Sequence, residues 1–190
     1  NKFDKNLSKK LLASEDKIIY LTKKFNIPCI IIQPSMIYGS INKYKDENIN
    51  KLIEIMRKFP ILIVPKGNGL RQPIHAYQLA DIFIYYLIIF LEEKNKSFTQ
   101  KLLVGGDLEL SYLDMIKSIK KSLPKNDSVN NCKIIVVEDF IFIIFSILFL
   151  LKSRKSFEAY LRVFSDLSGF KKCFQIIKSD QVLFPLKPFY

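Results

Sequence analysis

The sequence predicts an α/β fold built on a parallel sheet. Three observations carry that expectation. An amphipathic helix runs straight into an apolar strand, that strand shows no apolar/polar alternation, and further helices are each followed by a short apolar strand. A strand that is apolar on both sides needs cover on both, as between the helix layers of a parallel sheet. With 190 residues there is enough chain for one domain with a real core.

The elements follow in order. Leu11, Leu12, Ile18, Ile19, Leu21 and Phe25 fall close to one helical stripe with charges between them, giving a helix that ends near Asn26. Pro28 separates it from a strand at 29–32, and Pro34 stops that strand because it has no N–H for the ladder. Segment 40–47 is polar and reads as a loop. Ile49, Leu52, Ile53, Met56 and Phe59 recur at helical spacing until Pro60. Residues 61–64 form a short apolar strand between Pro60 and Pro65, and 66–70 a turn in which Gly67 and Gly69 are free to take positive φ. Residues 72–75 are extended, and a helix runs from near Gln78 to about Glu93. A strand at 102–104 ends at Gly105 and Gly106. Ser111 heads a helix, with Asp114 three residues on as a capping-box-like acid and Met115, Ile116 and Ile119 as its apolar side. A strand at 134–137 precedes a long apolar helix, a basic linker and a weakly patterned tail.

Charge and cysteine usage narrow the function classes. The net charge of +12 is nearly all Lys, scattered over the polar sides of helices. A dedicated nucleic-acid interface clusters Arg and Lys with aromatics on one face, so no nucleic-acid partner is expected. Cys29, Cys132 and Cys173 lack the short spacing of a metal knuckle or redox motif, so no metal is expected and a reducing cytoplasm fits. The opening residues show no secretory pattern, and the start at Asn1 within a Lys-rich helix suggests a cut from something longer. Segment 140–151 is apolar on every face but only about 12 residues long, against about 20 for a span. It reads as a buried or surface-docked helix. The alternative is a peripheral contact on the inner membrane face through 140–155, with Lys152, Arg154 and Lys155 on anionic headgroups.

Several short tags recur in a recognisable order: Glu15 in the first helix, Ile30-Ile31-Ile32-Gln33-Pro34, Ile37-Tyr38-Gly39, the run from Arg71 to Ala80, and the step from Gly105 to Met115. Over roughly 11–123 the chain resembles the extended short-chain dehydrogenases/reductases, the NAD-dependent epimerase/dehydratase family. The resemblance implies a partial Rossmann-type parallel sheet followed by the smaller C-terminal substrate-binding α/β subdomain, with 1–39 a remnant of the dinucleotide-binding domain and 40–190 the substrate side. It implies the C-terminal portion of an NAD(P)-dependent nucleotide-sugar epimerase, dehydratase or reductase for cell-surface polysaccharide. The implied partners are a nucleotide-diphosphate sugar and a second copy of the chain. NAD or NADP would be bound by the full-length protein.

By the same resemblance Pro34, Ser35 and Met36 pack near the nicotinamide, and Gln33 and Arg71 face the substrate. A planar fork donor at Arg71 suits a diphosphate. The chain also departs from the family pattern. Gln33 stands where Arg is usual, and Tyr77-Gln78 replaces an acidic pair. The catalytic Tyr-x-x-x-Lys register falls on Leu7 and Leu11, so the catalytic residues are unknown and expected upstream. No glycine-rich dinucleotide turn follows a first strand. His75, the single histidine, reads as structural. Residues 164–167 and 185–189 loosely match the tail that closes such pockets. Two rival readings stay open: a non-catalytic Rossmann-type relative serving as a membrane-associated or assembly subunit, as in respiratory complexes, and an inactive truncated reading frame.

Overall fold

The computed structural model describes residues 5–39, 46–92, 98–150 and 160–180. The 40–45 part of the polar loop, the basic cluster at 152–155 and the tail at 185–189 lie outside the described residues.

Helix α1 (Lys5–Lys24) ends in a turn with Asn26 at φ 54°, and β1 (Cys29–Pro34) follows. The central ladder joins β1 in parallel to β6 (Thr99–Gly105), with Cys29 opposite Thr99 and Pro34 opposite Val104. The short β9 (Lys171–Lys172) pairs with the end of β6. Strand pleating sends alternate residues to opposite faces. Ile30, Ile32, Leu102 and Val104 pack under α3 (Ala76–Glu92) and α6 (Cys173–Ile177). Gln33 and Lys101 lie on the other face, where both reach Glu15 of α1. Helices thus lie on both sides of the strand, as its unbroken apolar run requires. Every residue of β1 is only half-buried, however. Among the described residues β1 pairs on one side alone, so its outer edge is open.

A second core forms around α2 (Asn48–Lys58), α4 (Tyr112–Ser122) and the parallel pair β3 (Ile61–Pro65) and β8 (Lys133–Val137). Ile49, Ile53 and Met56 of α2 meet Met115, Ile116 and Ile119 of α4, with Val64, Val129 and Cys132 between them. Of the positions read at helical spacing, Ile49, Leu52, Ile53 and Met56 pack, while Phe59, at the C-cap, is exposed. Ser111 caps α4 as expected, its Oγ accepting the Asp114 N–H at 3.0 Å. Arg57 forks onto Asp127 at 3.1 and 2.6 Å, joining α2 to the 3-10 turn at Ser128–Asn131. Both cores draw on residues from each side of position 39/40: Ile30 and Ile32 join the α3 core, and Tyr38 joins the α2–α4 core.

Short strands stitch the cores together. β2 (Ile37–Tyr38) pairs in parallel with β5 (Ile74–His75), and β4 (Leu70–Arg71) pairs antiparallel with β7 (Leu110–Ser111). Gly67 and Gly69 do not take the positive φ expected of them; Gly39 and Gly169 do. Closeness is what glycine serves in this turn. A Cβ on Gly67 would lie 2.4 Å from the Asp139 carboxylate, and one on Gly69 would lie 2.4 Å from the Ser165 carbonyl oxygen.

The apolar segment forms α5 (Asp139–Leu150). Phe142 anchors it, stacked on Tyr160 at 4.9 Å and edge-on to Phe164 at 5.5 Å. Phe140, Ile143, Ile144 and Ile147 are exposed. No described helix is long and apolar enough to cross a membrane.

Candidate functional site

A cavity of about 520 Å³ opens beside the α2–α4 core, at the end of β1. That size suits a ligand of nucleotide dimensions. Pro34, Ser35 and Met36 line it where β1 ends. Asn48, Lys51, Leu52 and Ile55 of α2 line another wall, and their spacing of three, four and seven residues puts them on one helical stripe. Arg71, Tyr112 and Met115 contribute, and the segment around Arg162, Val163 and Leu167 completes the lining.

The end of β1 is held in place by backbone. Ser35 donates its N–H to Val104 O at 2.8 Å and its hydroxyl to Gln72 O. Met36 O accepts from Ile74 N at 2.9 Å. Gln72 is fully buried; its amide donates to Gly106 O at 2.8 Å and Phe170 O at 3.0 Å, and its Oε1 accepts the Phe170 N–H at 2.9 Å. Gln78 continues this buried polar belt, accepting from His75 N and donating to Asp107, both at 3.0 Å. The departure from an acidic pair at 77–78 therefore places an amide that can both accept and donate between a backbone N–H and a carboxylate. Burial, and after it the Asp107 and Asp81 carboxylates, pushes the Cys173 thiol up to about 12.

Arg71 reaches the cavity, as expected, but its fork is directed elsewhere. Nη1 donates to Leu70 O at 2.7 Å and to Ser165 O; Nη2 donates to Arg162 O at 2.6 Å. At the 3-10 turn Arg162–Phe164 the guanidinium adds a second donor to the Arg162 carbonyl, which already accepts the Ser165 N–H at 3.0 Å. Its carbon lies 5.4 Å from the Tyr112 ring centre. Burial pulls the Arg71 pKa down, with Tyr112 and Asp166 opposing. The segment it holds lies along β4: Gly69 N donates to Val163 O, Leu70 N to Asp166, and Leu167 N to Leu70 O, at 2.8 to 2.9 Å.

Gln33 does not join this site. The pleat that points Pro34 toward the cavity points Gln33 toward α1, where its amide donates to Glu15 Oε1 at 2.5 Å. The expectation that Gln33 faces a substrate is therefore not met. Lys101 bonds the other Glu15 oxygen, and this bond is the leading cause of the lowered Glu15 pKa.

His75 is 1 % exposed, and its Nδ1 accepts the Tyr77 N–H at 3.1 Å. Its ring meets Tyr38 edge-on at 5.0 Å, and burial lowers its pKa. It is a core histidine, as the sequence suggested. Leu7 and Leu11 are exposed on α1. Lys51, Tyr112 and Arg162 were missed from sequence. The one available signal was that Lys51 borders the apolar stripe of α2; Arg162 reaches the cavity only through long-range folding.

No protein-family model matches the sequence, and no curated protein matches it. Solved structures match its fold. The chain is similar to UDP-glucose 4-epimerase from Bifidobacterium longum in complex with NAD+ and UDP, at 11% identity and a TM-score of 0.55, over 92% of this chain and 49% of that one. It is similar to UDP-glucuronic acid 4-epimerase from Bacillus cereus in complex with UDP-glucuronic acid and NAD, at 14% identity and a TM-score of 0.52, over 92% and 47%. It is also similar to PbgP3 protein from Burkholderia pseudomallei, at 11% identity and a TM-score of 0.50, over 93% and 47%. The chain shares the α/β fold of these structures and spans about half of their length.

Proposed function

We propose that this chain is the nucleotide-sugar-binding portion of an NAD(P)-dependent nucleotide-sugar epimerase, dehydratase or reductase, acting in cell-surface polysaccharide synthesis. The observation that carries it is the shared cavity: Pro34, Ser35 and Met36 at the end of β1 and Arg71 from the β4 turn line one space of about 520 Å³. In open α/β sheets, ligands bind at the carboxyl ends of the strands. The matched epimerase structures from Bifidobacterium longum and Bacillus cereus hold NAD+ with UDP and NAD with UDP-glucuronic acid, respectively.

The cofactor fits these residues only in part. Pro34, Ser35 and Met36 would border its nicotinamide end, and bound NAD(P) would accept and return hydride. The glycines at 39, 67, 69, 105, 106 and 169 form no phosphate-cradling turn after a first strand. This chain's own contribution is therefore the substrate wall.

Calorimetric titration with UDP, dTDP and a UDP-sugar tests the reading. Saturable binding is expected, weakened by Ile55→Trp, which fills the cavity from an exposed position on α2. No binding in the millimolar range, or binding indifferent to Ile55→Trp, would reject it.

A second reading is favoured by α5: a membrane-associated subunit, docking through the exposed Phe140, Ile143, Ile144 and Ile147. Flotation with anionic vesicles checks it. Partitioning that is unchanged in a Phe140→Ser/Ile144→Ser variant removes α5 as a lipid contact.

A further inference from the structure

We infer that the outward face of α3 is a dimer interface, on which a second copy of the chain packs its own α3 in antiparallel orientation. This stands apart from the proposed function, since α3 contributes no residue to the cavity.

The helix is apolar on two opposite sides. Ile82 and Tyr86 are buried with Leu102 and Val104 of β6 and Cys173 and Ile176 of α6. Half a turn away, Ala80, Ile84, Leu87 and Leu91 form a second stripe, flanked by Phe83 and Ile88. Its spacings of four, three and four residues are those of a helix–helix contact seam. All of these side chains are exposed, the large ones from 47 % at Ile88 to 61 % at Leu91. A helix that is apolar all round has apolar company on every side, in a protein core or in lipid.

Charge selects the partner. In a chain of net charge +12, α1, α2 and α4 carry Lys23 and Lys24, Arg57 and Lys58, and Lys120 and Lys121 in their last turns. α3 holds no cation; its charges are Asp81 and Glu92. A helix lying on lipid is bordered by Lys and Arg, and anionic headgroups would repel both acids. The same lack of cations lets two copies meet here without opposing their excess positive charge. Glu92 also sits at the negative end of its own helix dipole. A two-fold axis across the middle of the seam sets the N-terminal end of the second α3 beside it, and places Ile84 of one copy opposite Leu87 of the other. With each large side chain about half exposed, closing the seam removes roughly 500 Å² per copy, about 1,000 Å² in the pair, which reaches the threshold of a specific interface.

The test is sedimentation equilibrium of the 190-residue chain across the micromolar range. A monomer–dimer equilibrium is expected. Leu87→Glu should weaken it roughly a hundredfold or more, because it seats a carboxylate in an apolar contact, and Ile84→Lys should do the same. Both positions are more than half exposed, so the fold is retained, which a thermal melt checks. An equal mixture of the two variants is expected to recover dimer, the ammonium of one meeting the carboxylate of the other. Leu11→Glu on α1 and Ile144→Glu on α5, at comparably exposed apolar positions, should change nothing. A wild-type chain that stays monomeric at high micromolar concentration overturns the inference. So does a dimer indifferent to Leu87→Glu, or a mixture that stays monomeric. Flotation on vesicles that Leu87→Glu abolishes, in a chain monomeric without them, gives the face to lipid and also overturns it. Failure of the wild-type dimer to bind UDP rejects the proposed function and leaves this interface standing.

Discussion

Gln33 donates its side-chain amide to Glu15 Oε1 at 2.5 Å, across the face of the sheet opposite the cavity. The bond ties β1 to α1, with Lys101 closing on the same carboxylate from β6. Gln33→Leu is therefore expected to cost about 1 kcal/mol in urea denaturation, the net worth of such a bond. It should leave UDP affinity unchanged, because the side chain does not touch the cavity.

The same carboxylate sets an acid limb of stability. The folded Glu15 pKa lies below its ordinary 4.5, first because Lys101 donates to it. Its contribution is present above the unfolded pKa and is lost as pH falls through the lower folded value. Glu15→Gln should flatten the stability–pH curve below about pH 4.5, as read by chemical denaturation at stepped pH.

His75 governs a different window. Burial lowers its pKa from 6.5, so below 6.5 the unfolded chain takes up a proton that the folded chain resists. Stability is expected to fall as pH drops from 6.5 toward the folded pKa. The chain has one histidine, so His75→Gln should abolish that slope. A slope that survives the substitution assigns it to another group.

Gly106 is expected to resist substitution. A Cβ there would lie 1.9 Å from Pro73 O, and backbone cannot yield as a flexible side chain can. Gly106→Ala should destabilise by more than about 3 kcal/mol or prevent folding. Gly169→Ala meets nothing within 4 Å and carries only the strain of φ +76°, so it should cost about 1 kcal/mol. Thermal melts of the two variants separate the causes.

On α5, neighbouring apolar residues should differ sharply. Phe142 is 1 % exposed and packed by Tyr160 and Phe164, whereas Phe140 is 63 % exposed. Phe142→Ala is expected to cost about 3 kcal/mol. Phe140→Ala should stay within about 0.5 kcal/mol. Both follow from denaturant midpoints at constant m-value.

What could be read from the sequence is what local chemistry dictates. The spacing of Ile49, Ile53 and Met56, the Ser111 cap and the stop at Pro34 each reflect preferences spanning a few residues. The missed features depend on distance along the chain. β9 is two lysines, apolar in no pattern, and is a strand only because Val104 and Gly105 offer it a ladder. The fork of Arg71 finds its carbonyls 91 and 94 residues away, which no window on Arg71 contains. Gln33 was assigned to the substrate side from the family position alone; counting the pleat from Pro34 would have turned it toward α1. Gly67 and Gly69 read as turn residues free to take positive φ, because their neighbours across the turn, Asp139 and Ser165, are distant in sequence.

The bare flank of β1 has a practical corollary. The peptide groups of Ile30 and Ile32 and the carbonyl of Pro34 face outward with no ladder on that side among the described residues, the odd-numbered residues turning theirs toward β6. Such a border captures extended polypeptide. Handling of the purified chain will be governed there: concentration will drive strand addition between molecules, and an added β-strand peptide that seats along Cys29–Gln33 will keep the material monodisperse.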